Sequence, residues 1–465
     1  MIPKSTIKCK EFEEKLYAAV CQKGRELYAE ALTAWDAELH ESRDRKVYRD
    51  KGLRQTTLKT LMGEVEYERH VYTFEQDGRK GTVYLLDEAI GRADSGFFSE
   101  ALLERVGEAV CELPYRKAAA EISGLTGQSM SHTAVWNVTQ QLGASIDTAE
   151  KSNAAKASRN KGCGTQEAKL LFEEQDGIWL KLQGKDRKKH GKNYEMKMAM
   201  AYDGAKKTGK DRYELTNKVV CANFEEIDKF FRRKEGVIAA NWSVDEIEVR
   251  VLNGDGARWI KRSVDDDTLY QLDPFHRNKA VVCAAPDKNS RKTMFKLLYS
   301  NQIEALLLYI DALANSVEDE EQECALRNLH TYFSNNKAGL TGYKQRGIDL
   351  PEPPEGKEYR GMGAMESNVF SVIGNRMKGR RRNWSIKGGN NLARILCLKA
   401  THKLCDAVAA LSTQMPGKYA EEVIRSFSAR KISESAGKGW NGFTKGFISP
   451  SMPAARAIAA VKRLY

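Results

Sequence analysis

The stretch KLLFEEQDGIWLKL (169–182) sets an acid, Asp176, inside an otherwise apolar strand pattern closed by Ile178, Trp179 and Leu180. A carboxylate in such a setting is costly unless it is paired or bound to a cation. The segments downstream settle the fold class. YEMKMAMAYDG (194–204) reads as a hairpin partner, and RYELTNKVVCAN (212–223) as a third strand. FEEIDKFFRRKEGVIAANW (224–242) has helical spacing, and EIEVRVLNGDG (246–256) is a strand that ends in a second acid, Asp255. GARWIKRS (256–263) is a short helix, and TLYQLDPFHRNKAVV (268–282) is a strand followed by a helix. Three strands, helix, strand, helix, strand, helix is the element order of an α/β core of ribonuclease-H-like type. The expectation is a mixed five-stranded sheet with flanking helices, over residues 169–290.

Beyond that core, residues 291–360 are strongly helical and are expected to interrupt it as an insertion, up to the break at PEPPEG. The core resumes over 361–412 with AMESNVFSVIGNRMKGRRRNW (364–384), where Glu366 precedes Val369, Phe370, Ile373 and Met377 at the spacing of one apolar helix face. Glu366 taken alone is equally an ordinary helix-start charge. Asp255, taken alone, is equally a turn residue, and its neighbours Gly254 and Gly256 leave room for a ligand to approach closely. In the expected fold the three acids converge on one edge of the sheet. Hard oxygen donors of this kind suit Mg²⁺ or Mn²⁺, and a pair of such ions serves phosphodiester chemistry.

Upstream, residues 1–50 read as a helical region, with Phe12, Leu16, Ala19 and Val20 on one face and Leu32, Trp35 and Leu39 on another. Residues 51–95 alternate in the manner of a small antiparallel sheet, turning at Asp77-Gly78 and resuming in TVYLLDE. Residues 96–145 contain two helical segments joined by a turn around Gly124 to Gly127, with Ser131 as the cap of the second. Two readings stand. One is a helix-turn-helix that presents His132, Thr133, Asn137 and Gln140 to DNA; the other is a helical hairpin packed on its neighbours. Residues 146–168, rich in Lys, Ser, Ala, Asn and Gly, read as a linker, and 413–465 as a C-terminal tail.

The chain has 465 residues, with 75 Lys plus Arg against 63 Asp plus Glu, a formal net charge of +12. That balance favours a polyanionic partner. Two basic runs are candidates for gripping phosphates: Lys185, Arg187, Lys188 and Lys189 at the tip between the first two strands, and Arg376, Lys378, Arg380, Arg381 and Arg382 behind Glu366. Trp384 suits stacking on a displaced base or packing on the domain. Nine scattered cysteines with no CxxC spacing set no disulfide framework or zinc knuckle. The opening MIPKSTIKCKEFEEKL has no apolar signal core, and no run approaches the ~20 apolar residues of a membrane span. A cytoplasmic, nucleoid-associated protein with no membrane partner is expected. No GxxxxGK[ST] loop and no Ser/His/Asp cluster competes with the acids for the chemistry.

Several blocks together resemble the bacterial insertion-sequence transposases of the ISLre-two family, distant relatives of Mutator-like transposases. They are RDRKVYRDKGLRQTTLKTLMGEVEYERHVY (43–72), YLLDEAIG (84–91), CELPYRKAAAEISGLTGQSMSHTAVWNVTQQLG (111–143), EEQDGIWLKLQ (173–183), LNGDGARWIK (252–261), LDPFHRNKA (272–280) and GAMESNVFSVIGNRMKGRRRNWSIKGGNNLARI (363–395). The resemblance implies a DDE transposase, with Asp176, Asp255 and Glu366 as the metal-binding catalytic triad. It implies cleavage at insertion-sequence ends and strand transfer into double-stranded target DNA, by a homo-oligomer that is at least a dimer. The relatives often carry C-x-x-H after the second acid, whereas this chain has Asp273-Pro-Phe-His276. His276 is accordingly open between a phosphate or base contact and a buried structural role. The competing functions are a structure-specific nuclease on the same fold and a transposase-derived DNA-binding regulator.

Overall fold

The computed structural model describes residues 7–76, 79–91, 98–265, 267–379, 381–410 and 416–419. They fall into two compact units, one drawn from residues 1–103, 120–130 and 409–465, the other from 104–119 and 131–408. The expected turn at Asp77-Gly78, Arg380, and all of the 413–465 tail except 416–419 lie outside the described residues.

The first unit is built on a long helix, α1 (Cys9–Ser42), and a sheet of β1 (Tyr48–Thr60), β2 (Gly63–Gln76) and β3 (Arg79–Val83) in antiparallel order. Leu32 and Trp35 are buried against Leu58, Val65, Tyr67 and Leu86, as their spacing predicts. The other expected face is not buried: Phe12, Leu16, Ala19 and Val20 are exposed. TVYLLDE is not one strand either. It leaves the sheet after Val83 and turns helical at α2 (Leu85–Ala89), where Leu86 completes the small core.

The second unit holds a mixed five-stranded sheet. Its strands are β4 (Leu170–Lys181), β5 (Asn193–Tyr202), β8 (Val219–Asn223), β9 (Val249–Gly254) and β10 (Thr268–Leu272), in the order β10-β9-β4-β5-β8. β4 pairs antiparallel with β5 and β5 with β8, whereas β9 runs parallel to β4 and β10 parallel to β9. The expected third strand is split by the turn around Asn217, which has φ +53°. Only Val219–Asn223 joins the sheet; Arg212–Leu215 (β7) pairs with Ala205–Gly209 (β6) in a separate ribbon.

Helices of the second unit accompany the sheet. α3 (Glu100–Glu112) and α4 (Tyr115–Thr126), each divided between the two units, precede in sequence α5 (His132–Ala157), whose cap Ser131 accepts from Ala134 N–H at 3.0 Å, as expected. Further on, α6 (Gly184–His190) joins β4 to β5, α7 (Ile227–Ala239) follows β8, α8 (Arg258–Lys261) follows β9 and α9 (Pro274–Ala284) follows β10. α5 continues to Ala157, well into the expected linker. Ala and Lys are good helix formers, and Asp147 and Glu150 on this stretch are bound by Arg233 and Arg394, both 5% exposed. The remainder of that segment is pinned too, with Cys163 and Gly164 N–H donating to Ala239 O. Helices over Lys288–Tyr299, Ile303–Ala314 and Glu320–Asn335 share an apolar core around Leu306, Ile310, Leu326 and Phe333 with Leu272 of β10 and Val281 of α9. Among the described residues, no helix is long and apolar enough to cross a membrane.

Candidate functional site

The register of β4 explains where the acids go. Successive side chains on a strand alternate faces, so Glu174 and Asp176 share one face and Glu173 takes the other. On β9, Asn253 pairs with Glu174 and Gly254 with Gln175. Continuing that register by one residue brings Asp255 opposite Asp176. The parallel strand β10 then delivers Asp273, whose N–H donates to Gly254 O at 2.8 Å.

Glu174 is the residue that the sequence does not reveal. It is fully buried and accepts hydrogen bonds from five donors: Tyr202 Oη at 2.8 Å, Asn253 Nδ2 at 3.1 Å, and the backbone N–H groups of Gly363, Ala364 and Met365 at 3.1–3.3 Å. Those three N–H groups open the helical run that begins at Met365. A carboxylate there satisfies orphan helix-start donors and complements the helix dipole. Glu174 thereby fastens the Glu366 segment to the strand that carries Asp176.

Beyond Asn368 the run widens into a π-helical stretch, Val369–Gly374, before one last α-helical turn over Asn375–Met377. The wider turn changes which residues face inward. Val369, Val372, Ile373 and Met377 are buried, but Phe370, expected on that face, is 65% exposed.

Asp176, His276 and Glu366 each offer one donor atom, and the three donors lie within 4.8 Å of one another. Burial, with the negative charge of Asp255 and Glu366 nearby, pushes Asp176 up to about 6; the Gly177 N–H and His276 act in the opposite direction. Asp255 is fixed by its surroundings: its Oδ1 accepts from Ala257 N–H at 2.8 Å, and its carbonyl accepts from Tyr332 Oη at 2.6 Å. The flanking glycines answer local packing and backbone geometry. A Cβ on Gly254 would lie 2.7 Å from Ile260 Cγ2, and Gly256 has φ +93° with Asn336 beside it.

Asp273 occupies the place of the expected Cys and does two jobs. It caps α9 by accepting from His276 N–H at 3.0 Å, and it accepts from His276 Nδ1 at 3.0 Å. Asn253 Nδ2 holds its other oxygen at 2.8 Å. This fixes the ring with Nδ1 protonated and Nε2 free to act as donor or ligand. The Asp273 carboxylate raises His276 above its ordinary value; burial opposes this, while Asp176 and Asp255 add to it.

The two basic runs, far apart in sequence, are brought to one place. Leu182 bridges Trp384, Gln183 N–H donates to Trp384 O, and Asp186 accepts from Ile386 N–H at 2.7 Å. Lys185, Arg187, Lys188 and Lys189 are exposed on the short helix α6, and Lys378 and Arg381 are exposed close to Trp384 in sequence. Three other candidates are used internally. Arg376 is 4% exposed and donates to Val110 O, and Arg382 Nη1 donates to Asn375 O at 2.9 Å, closing the helix end. Trp384 is 8% exposed, with its indole N–H donating to Met377 O, so packing decides between its two readings. A cleft of about 810 Å³ lies alongside, lined in part by Lys218, Phe370, Lys378, Arg382 and Lys399.

On α5, His132, Thr133, Trp136 and Asn137 are exposed, while Val135, Val138, Leu142 and Ile146 are buried. Gln140 is half-buried, and its Oε1 accepts from Asn391 Nδ2 at 2.9 Å, which takes it out of the exposed set.

The family described as "Uncharacterised protein family (UPF0236)" matches residues 3–411. A Streptococcus gallolyticus relative, "UPF0236 protein in vanSb 3'region", is 24% identical over 390 residues, covering 82% of this chain and 78% of its own. A Caldanaerobacter subterraneus subsp. tengcongensis member is 23% identical over 395 residues, 83% of this chain and 76% of its own. Another from that organism is 22% identical over 393 residues, 83% of this chain and 75% of its own, and its name joins eleven numbered designations. With the match running over most of its length, this chain belongs to the UPF0236 family.

Proposed function

We propose that this protein is a DDE-type DNA transposase of the ISLre-two kind, cutting insertion-sequence ends and joining them to target DNA. The observation that carries the reading is the convergence of Asp176, Glu366 and His276 donors within 4.8 Å at a sheet edge where Asp255 adds further negative charge. The sheet order and its parallel and antiparallel pairings are those expected of a ribonuclease-H-like core, which supports the fold half of the proposal. A family member whose name carries eleven designations in one organism fits an element present in many copies.

The donor set fits a divalent cation. Asp176 is raised because burial and like charges outweigh the Gly177 N–H and His276, and a cation relieves both. Asp176, Asp255 and Glu366 would hold Mg²⁺ or Mn²⁺, one ion or a pair. Bound there, the metal supplies the positive charge that phosphodiester displacement requires. The protein's own groups do the rest. His276, oriented by Asp273, presents Nε2 toward a phosphate oxygen, and exposed lysines and arginines neutralise the flanking backbone. Water attacks phosphorus first and a DNA 3′-oxygen leaves as hydroxyl; that 3′-hydroxyl then attacks a target phosphodiester. Each step exchanges one P–O bond for another, with no protein nucleophile. Handling two ends together calls for at least a dimer on DNA.

Asp176→Asn and Glu366→Gln are each expected to lower end cleavage by about 10³-fold or more, while end binding stays within about threefold. Full cleavage by either variant would sink the assignment. Cleavage by the wild type without a joined product would instead favour a nuclease.

A further inference from the structure

The N-terminal unit carries a second set of metal-type donors, distinct in sequence from the acids of the five-stranded sheet. His40 in the last turn of α1, Asp50 on β1 and His70 on β2 each offer one donor atom, and the three lie within 4.8 Å of one another. Local chain geometry brings them there. Asp50 pairs with Tyr72 and Leu53 with His70, leaving Lys51 and Gly52 as a bulge, with Gly52 at φ +83°. Bulges commonly re-aim a side chain next to a site.

Each ring is oriented through its Nδ1. His70 Nδ1 lies 2.6 Å from Asp36 Oδ2, and the same oxygen accepts from His70 N–H at 3.0 Å. Asp36 is 2% exposed, and its Oδ1 has no hydrogen-bond partner among the described residues. His40 Nδ1 lies 3.2 Å from the hydroxyl of Tyr72, which is wholly buried. The two rings stack with centroids 3.9 Å apart. A buried carboxylate behind one imidazole and a phenol behind the other is the outer arrangement that metal-binding histidines use to fix tautomer and direction. Asp50 has one oxygen engaged by Gly52 N–H at 3.0 Å and a second oxygen to offer.

We propose that His40, His70 and Asp50 form a transition-metal site of zinc type, tying the end of α1 to the bulged β1–β2 hairpin. Two imidazoles and one carboxylate are a borderline donor set suited to Zn²⁺, whereas Mg²⁺ and Ca²⁺ favour all-oxygen sites. Three protein ligands leave a fourth position for water or a further ligand.

The test uses full-length, tag-free protein carrying Asp176→Asn and Glu366→Gln, so that the sheet acids do not contribute. Equilibrium dialysis against Zn²⁺ is expected to give one ion per chain, and Co²⁺ the visible absorption of a nitrogen-ligated site. His40→Gln and His70→Gln should each weaken Zn²⁺ binding by about 100-fold, and Asp36→Asn by about 10-fold through its hold on His70. Asp50 is exposed, so Asp50→Asn should spare folding while weakening binding by about 10-fold. Absent zinc binding overturns the site. So does binding that is unchanged in Asp50→Asn and in His40→Gln.

Discussion

The two faces of β4 treat their acids in opposite ways. On one face, Glu173 is 2% exposed and bound by Lys234 at 2.5 Å and Arg250 at 3.3 Å, with Glu235 completing an alternating network. On the other, Asp176 lies near the negative charge of Asp255 and Glu366, with His276 acting in the opposite direction. Removing charges from water costs several kcal/mol per ion, so a folded protein ordinarily compensates them as it does at Glu173. A few residues of one strand therefore separate a group whose charge is met by basic side chains from one whose charge burial and neighbouring acids disfavour. Glu174, between them in sequence, is a third case: backbone N–H groups hydrogen-bond it without a counter-charge, and burial still raises its carboxyl above the ordinary value.

Substitutions on the two faces should separate stability from activity. Glu174→Gln and Glu173→Gln are each expected to cost about 3 kcal/mol in urea unfolding, since each leaves buried donors or charge unmet. Only Glu174→Gln should also lower cleavage by the folded protein, by about 100-fold, because the start of the Glu366 helix loses its anchor. Glu173→Gln at saturating Mg²⁺ should stay within about threefold of wild type. Equal losses of activity would erase the distinction between the faces.

The next effect is smaller and depends on pH. Asp176 sits at about 6, above its ordinary 3.8, so the folded state holds its proton more tightly than the unfolded chain does. Its charge therefore penalises folding fully above about pH 6, and the penalty disappears below about pH 4. In EDTA, Asp176→Asn should stabilise the protein at pH 8 by on the order of 2 kcal/mol and leave it unchanged near pH 4. Thermal unfolding across that range checks the sign. A destabilised variant at pH 8 would mean that Asp176 is already compensated.

The smallest effect concerns the exposed basic helix. Replacing Lys188 with Ala should lower the slope of log binding constant against log salt by about 0.9 for each phosphate that the lysine no longer neutralises. The same change at Arg376, buried against Val110 O, should instead appear as reduced stability. An unchanged salt slope for Lys188→Ala would make that run a solvated face.

A mixed five-stranded sheet and the nearness of Asp176 to Glu366 are legible in the sequence because alternation, glycine-bounded turns and isolated carboxylates are local signals. Glu174 is not, because its backbone partners lie 189 to 191 residues away and nothing in EEQD distinguishes it from its neighbour. Phe370 falls outside its expected face because a 3.6-residue period does not hold across a π-helical turn. Residues 146–168 have the composition of a linker, yet the arginines that hold their acids come from two distant helices. Trp384 stays open between stacking and packing at the level of sequence, and the β-bridge from Leu182 that accompanies its burial joins residues far apart in the chain.

If Asp176 and its partners form a metal-dependent centre for cutting and joining DNA, one reaction should expose it. Wild-type protein is incubated with Mg²⁺, DNA carrying the segments that flank its own coding region, and a target plasmid. Asp176→Asn and Glu366→Gln run beside it. Cleaved ends and joined product are expected from the wild type alone, with EDTA abolishing both. Products of equal yield from the acid variants, or DNA bound but never cut by the wild type, would contradict the metal-dependent centre.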